Sequence, residues 1–244
     1  MNYDELMKAL ADYPPQMTDS ERVAAYNRGE EVDHIPFSLG LGESTAHLYG
    51  RTVWQYNHTF EARKAEIAFI RSRSEFGPGM SGTIKMGLRG VGAALGSVIK
   101  APENSIDYVE SYVLTDYDQM PALEASFDPD VNPYLADKLQ MARDYRQKYG
   151  PDFLITTAIA GPLSTAIAIR KPEFVMRDMI KNKAKVHELL DMSVRCNLRW
   201  VQMMLDVCGK TAVSVADPAA SMYLISERQF KEFCNMLPEY ADYC

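Results

Sequence analysis

Gly150-Pro151-Asp152-Phe153-Leu154-Ile155-Thr156-Thr157-Ala158, closed by Gly161-Pro162, is the stretch on which the fold turns. Its apolar, β-branched centre is bounded on both sides by Gly-Pro pairs, which reads as a short buried strand. A helical pattern from Tyr134 to Tyr149 runs into it. After it, Pro172-Glu173 opens a helical region, since proline is tolerated in a first turn. From about Ala184 to Leu205 that region carries Val186, Leu189, Leu190, Val194, Leu198, Val201 and Leu205 at helical spacing, and Gly209 closes it. Thr211-Ala212-Val213-Ser214-Val215-Ala216 is then a second strand, ended by Asp217-Pro218. Ser226 and Gln229 have capping-box spacing for a last helix. Strands alternating with long helices call for parallel βα units, hence an α/β fold built as a barrel or a doubly wound sheet.

Toward the N-terminus the reading is more mixed. Thr18 and Glu21 have capping-box spacing, and Gly29 stops the helix they open. Val32 to Leu39 reads as a strand interrupted by Pro36, and helical periodicity returns from Thr59 to Arg73. The seven glycines between Gly77 and Gly96 predict tight turns and close backbone approach rather than a helix. Ser97–Lys100 and Tyr108–Val113 predict a hairpin, and Pro121 to Pro133 a connector.

The chain has 244 residues, 47% hydrophobic and 24% charged, which suits a globular domain and excludes disorder as its class. A single domain over 1–244 is the simplest organisation. With a net charge of -7 and scattered basic residues, no surface tracks nucleic-acid phosphates. Lys181, Lys183 and Lys185 read as a solvated helix face. No apolar run approaches the roughly 20 residues that span a bilayer, and Met1 to Pro15 lacks a signal-peptide pattern, so a cytoplasmic location is expected. Cys196, Cys208, Cys234 and Cys244 form no CxxC or HxC pair; they read as reduced, mostly buried thiols, and no metal site is expected from them. The 14 methionines, Met203-Met204 among them, read as core filling.

Three segments resemble one family in the same order. Glu21-Arg22-Val23 through Gly29-Glu30-Glu31-Val32-Asp33-His34-Ile35-Pro36 is similar to its opening pattern. Lys148-Tyr149-Gly150, a strand and Gly161-Pro162-Leu163-Ser164-Thr165-Ala166 are similar to its Gly-Pro-Phe-Thr-x-Ala segment. Ala216-Asp217-Pro218-Ala219-Ala220-Ser221, with the helix from Ile225-Ser226-Glu227-Arg228-Gln229-Phe230, resembles its Asp-Pro strand end and Ser-Pro-Glu-Phe-like helix. The family is that of uroporphyrinogen decarboxylase, which includes methyltransferases that move a methyl group from a corrinoid protein to a thiol. The resemblance implies a TIM-type (β/α) barrel, of which this chain holds roughly four to five of the eight strands. The first half to five-eighths would be present and the C-terminal βα units missing. A second half, or a homodimer, would then be needed.

Departures from the pattern favour the methyltransferase branch. The decarboxylases carry Arg-Gln-Ala-Gly-Arg after the first strand, and here Leu39-Gly40-Leu41-Gly42-Glu43-Ser44-Thr45-Ala46-His47 holds no arginine. They also place a tyrosine where this chain has Ala168. A polycarboxylate tetrapyrrole needs cationic partners. The resemblance therefore implies a zinc-dependent methyltransferase acting on a small-molecule substrate with a corrinoid protein as partner, its zinc ligands outside this chain. The alternatives are a uroporphyrinogen decarboxylase of porphyrin biosynthesis, needing no cofactor, and a non-catalytic half-barrel subunit.

In such barrels chemistry sits where strands end. Asp217 is the candidate for binding or acid–base work, or else a residue that caps a helix. Gly161, Pro162 and Ser164 are substrate-binding candidates, because the turn leaves backbone N–H groups available to an anion; helix capping is the competing reading for Ser164 and Thr165. Ser221 belongs to the same loop as Asp217. Glu43 and His47 lie four apart, so a helix would put them on one face as base and partner, metal ligands, or simply a solvated pair. His34 is read as structural, near the start of a strand; His58 and His187 are read as helix-surface residues. Gly90-x-Gly92-x-x-x-Gly96 does not have dinucleotide-loop spacing.

Overall fold

In the computed structural model, residues 16–36, 42–72, 81–87, 90–151 and 153–234 are described. The elements are α1 (Asp19–Asn27), a 3-10 helix (Glu43–Tyr49), α2 (Val53–His58), α3 (Phe60–Arg71), β1 (Ser81–Gly87), α4 (Gly90–Leu95), β2 (Val98–Lys100) and β3 (Tyr108–Ser111). There follow α5 (Met120–Ala125), α6 (Pro133–Tyr149), β4 (Leu154–Ala160), α7 (Pro162–Ile169), α8 (Pro172–Lys181), α9 (Lys183–Cys208), β5 (Ala212–Ala216) and α10 (Glu227–Phe233).

Strands β1, β4 and β5 form a parallel sheet in that order, with Thr157 beside Ile84 on one side and Val213 on the other. The α/β expectation and the βα alternation therefore hold. Among the described residues the sheet has three strands and is not closed. β2 and β3 make the expected antiparallel hairpin.

Burial alternates along β4. Ile155, Thr157 and Ile159 are buried under helices, while Leu154 is 43% exposed and Thr156 and Ala158 are partly exposed on the opposite face. α9 is the main cover. Its Val186, Leu189, Leu190, Val201 and Met204 are buried at helical spacing against β4, α6 and α7. Trp200, fully buried, donates its indole N–H to Thr157 Oγ1 (2.8 Å), which in turn donates to the Ile84 carbonyl (2.9 Å). One polar chain thus links α9, β4 and β1, and leaves no buried donor unmet there.

Three predicted features are corrected. The glycine-rich stretch contains a strand, β1, and a helix, α4, instead of turns alone. Its glycines act through close packing: a Cβ on Gly92 would lie 2.6 Å from the Ala168 carbonyl oxygen of α7, and one on Gly90 2.9 Å from Met86 Cβ. The connector likewise holds a helix, α5, with a proline in its first turn. It follows a 3-10 turn capped by Asp116 and Gln119. The N-terminal capping box of Thr18 and Glu21, the stop at Gly29 (φ 74°) and the box of Ser226 and Gln229 are all present. Residues 31–36 form no strand, so His34 sits in a loop; Phe37 to Leu41, the rest of that predicted strand, lie outside the described residues.

Three elements are locked by a buried ion pair that the sequence did not reveal. Asp178 of α8 accepts from Arg170 (3.0 Å), Tyr117 (2.9 Å) and Arg177 (3.1 Å), and Arg170 also donates to the Thr115 carbonyl (2.9 Å). Burial alone would raise the Asp178 pKa, but these bonds more than offset it and hold the carboxyl below its usual range. Burial and the bond to Asp178 push the Tyr117 phenol up to about 12.

Gly92→Ala should destabilise the protein by about 1–3 kcal/mol, because the added methyl forces α4 off α7; a shifted urea midpoint with unchanged slope is the readout. The Asp178 pair gives a second test. A carboxylate with a depressed folded pKa contributes stability above its unfolded pKa of about 4, and loses it as pH falls toward the folded value. Urea unfolding from neutral to acid pH should show a steeper acid loss for the wild type than for Asp178→Asn, and equal slopes would refute the assignment.

Candidate functional site

Consecutive βα units bring the ends of β4 and β5 side by side. Gly161 follows β4 directly, and its N–H donates to the Ala216 carbonyl at the end of β5 (2.8 Å). α7 starts there with Pro162 in its first turn and Gly161 at the N-cap, a residue with no side chain to offer as a cap. The first N–H groups of a helix need acceptors from elsewhere. Asp217 supplies them: Oδ2 accepts from Leu163 N (3.0 Å) and Oδ1 from Ser164 N (2.8 Å).

Ser164 completes the arrangement. Its hydroxyl donates to Asp217 Oδ1 (2.6 Å) and accepts from Ala219 N (3.1 Å), which draws the loop after β5 onto the start of α7. Gly161 is required for this approach, since a Cβ there would lie 2.3 Å from Asp217 Cβ. Ser221 lies four residues beyond Asp217, and its carbonyl accepts from Leu224 N (2.9 Å) and Ile225 N (3.0 Å), turning the loop toward α10. Beyond it Met222, Tyr223 and Leu224 are exposed, Tyr223 fully.

Behind the corner, Asn197 of α9 donates to the Ala160 carbonyl (2.9 Å) and to Thr165 Oγ1 (3.3 Å), so the end of β4 is fixed from the helical side as well. At the opposite end of the sheet, Arg146 donates to the carbonyls of Gly150 (3.1 Å), Phe153 (3.1 Å) and Cys208 (2.8 Å). Neither residue carried a sequence signal, because their acceptors are backbone atoms far along the chain.

The predicted residues thus divide into two groups. Gly161, Pro162, Ser164, Asp217 and the loop to Ser221 form one corner, as expected. The N–H groups expected to be available to an anion are already taken by the carboxylate of Asp217. Thr165 is buried at the first turn, with its hydroxyl toward the Ala160 carbonyl (3.5 Å).

Glu43 and His47 are engaged elsewhere. They lie on a 3-10 helix, where three residues make a turn, so a spacing of four does not align them. Glu43 accepts from Asn57 Nδ2 of α2 (2.8 Å), while His47 Nδ1 meets the Ser44 carbonyl (3.1 Å). His58 and His187 also differ from the surface expectation. Partly buried His58 stacks on Trp54 and lies 3.2 Å from Asp107, and His187 stacks on Phe233 at 4.6 Å between ring centres.

Among the described residues no group of three His, Cys, Asp or Glu side chains could hold a metal ion. Burial pushes the Cys196 thiol up to about 12, and burial with the charge of Asp217 pushes Cys234 up to about 11. Burial raises Cys208 too. A thiolate ligand is disfavoured at each. The described residues therefore do not fit a zinc site. No described helix is long and apolar enough to cross a membrane.

Known proteins match this architecture. The uroporphyrinogen decarboxylase (URO-D) family matches residues 18–241. Two proteins called methylcobamide:CoM methyltransferase MtaA, from Methanosarcina barkeri (strain Fusaro / DSM 804) and from Methanosarcina barkeri, are 30% and 28% identical over 95 residues. Those 95 residues are 39% of this chain and 28% of each relative. A solved structure, a methyltransferase from Methanosarcina mazei, shares the fold with a TM-score of 0.61 at 23% identity, over 89% of this chain and 64% of that one. The chain thus spans just under two thirds of that structure and little more than a quarter of the curated relatives. With the match running through both strand ends that build the corner, the chain belongs to the uroporphyrinogen decarboxylase family.

Proposed function

We propose that this chain is part of a methyltransferase of the family, in which a methyl group passes from a corrinoid carried by a partner protein to a thiol. The single domain would form the first half to five-eighths of a TIM-type barrel in the cytoplasm, with the rim at Gly161, Pro162, Ser164, Asp217 and Ser221 facing the substrate. Glu43 and His47 keep their own contacts, with Asn57 and the Ser44 carbonyl, in this reading.

One observation carries the choice over decarboxylation. Ala168, where the decarboxylases place tyrosine, is buried against Gly92, with its Cβ 2.9 Å from where a Cβ on that glycine would stand. A phenol at 168 has no room unless α4 moves away, so α4 and α7 are packed for a small residue. The missing arginines after Leu39 point the same way, since nothing cationic replaces them within Gly42 to His47.

Two proteins titled methylcobamide:CoM methyltransferase support the reading from their names. Zinc enters it only through ligands outside the described residues. What these residues supply is a fixed rim: Asp217 closes the N-terminus of α7 and ties the loop after β5 to it, so the loop would meet a substrate in one orientation.

The test is methyl transfer by the full-length protein from methylcobalamin to a small thiol, with zinc content measured on the same sample. Turnover is expected, together with no conversion of uroporphyrinogen to coproporphyrinogen. Porphyrin product without methyl transfer would overturn the proposal in favour of the decarboxylase. Inactivity in both assays would favour a non-catalytic half-barrel subunit.

A further inference from the structure

We propose that Asp217 is a positioning residue that serves as a built-in anion for the N-terminus of α7, and that the loop from Pro218 to Leu224 is held in its working geometry through it. The inference rests on the methyltransferase reading for its activity readout alone; the contacts stand without it.

Three donors converge on one carboxylate: the N–H groups of Leu163 (3.0 Å) and Ser164 (2.8 Å) and the hydroxyl of Ser164 (2.6 Å). Helix N-termini favour negative charge through these unsatisfied N–H groups. The neighbouring positions on α7 cannot substitute for it, because Gly161 has no side chain and that of Pro162 has no acceptor atom. Both Asp217 oxygens are committed to donors fixed by the backbone. The three contacts orient the helix start and the loop, and orientation is the role they support.

The effect is carried outward by Ser164. Its hydroxyl has one proton, which goes to Asp217, and its lone pair receives Ala219 N. The direction of the Ala219 bond therefore depends on the carboxylate being in place. Ala219 is buried, and three residues later the loop exposes Met222, Tyr223 and Leu224. Removing the carboxylate would leave two helix N–H groups without their acceptor and the loop without its tether. A small free carboxylate could refill the space.

Asp217→Ala in the full-length protein tests this, with amide hydrogen exchange and methyl transfer from methylcobalamin to a thiol as parallel readouts. Exchange at Leu163, Ser164 and Ala219 is expected to accelerate, and kcat to fall by about 10- to 100-fold with little change in KM for the thiol. Added acetate, but not chloride, should restore protection of the amides and part of kcat. Acetate restoring protection without turnover would assign Asp217 a direct chemical role and overturn the positioning one. Acetate restoring neither, in a variant that is folded by circular dichroism, would overturn the built-in anion.

Ser164→Ala keeps the carboxylate and covers the case in which Asp217→Ala fails to fold. In it Leu163 and the amide at 164 should stay protected while Ala219 opens, with no response to acetate; protection retained at Ala219 would refute the tether. A wild type without methyl transfer would reject the proposed reaction, and the exchange data would still decide the clamp.

Discussion

A parallel sheet wrapped by helices has a recurring difficulty at its two rims, where helix ends expose N–H and C=O groups that the sheet does not pair. In this chain two charged side chains meet it. At the end where the strands leave the sheet, Asp217 accepts the first N–H groups of α7; at the other end, Arg146 donates to the carbonyls that close α6 and α9. Each charge has the sign that its helix ends favour. Each also joins segments more than fifty residues apart, so these two contacts tie the ends of the β4 and β5 units to each other.

Between the rims the sheet is fixed from the helical side by hydrogen bonds with few alternatives. Trp200 reaches Thr157, and Thr157 reaches Ile84, across three elements. Asn197 does the same for Ala160 and Thr165. Because these groups are buried, an arrangement that broke one of them would leave a polar atom unmet at a cost of about 1–3 kcal/mol. Apolar burial makes the layer stick; these bonds select which register it sticks in.

The sequence was legible where one local signal governs the outcome. β4 and β5 are short apolar runs between glycine and proline, and α9 repeats its apolar residues at helical spacing, so both were read close to their observed bounds. Capping boxes at Thr18 and Ser226 marked two helix starts. The failures share a cause of another kind. Gly90 and Gly92 look like turn residues locally, yet their purpose is to let α4 lie against Met86 and Ala168, and that reason is visible only in three dimensions. For α5, the proline that suggested a connector is a first-turn proline. The spacing of Glu43 and His47 was judged by α-helical geometry, and the segment winds more tightly. At the site the strand-end position of Asp217 was readable and so was the anion-binding turn; that one satisfies the other was not, because their proximity is a property of the sheet.

The face of the sheet turned away from the helices carries the remaining consequence. Leu154, Thr156 and Ala158 on β4 stand beside Ala212 and Ser214 on β5, and all are exposed or partly so. Parallel sheets are ordinarily covered on both faces, and Leu154, 43% exposed, departs from that pattern among the described residues. The residues there are mostly small, and two are hydroxyl-bearing, which suits an interior crowded by other strands better than a surface facing water. Apolar exposure continues at Val215 and around the rim through Met222, Tyr223 and Leu224. On the proposed barrel reading, further βα units facing this side would bury these residues and turn the Asp217 corner from an edge into a wall, where the fixed loop would matter most.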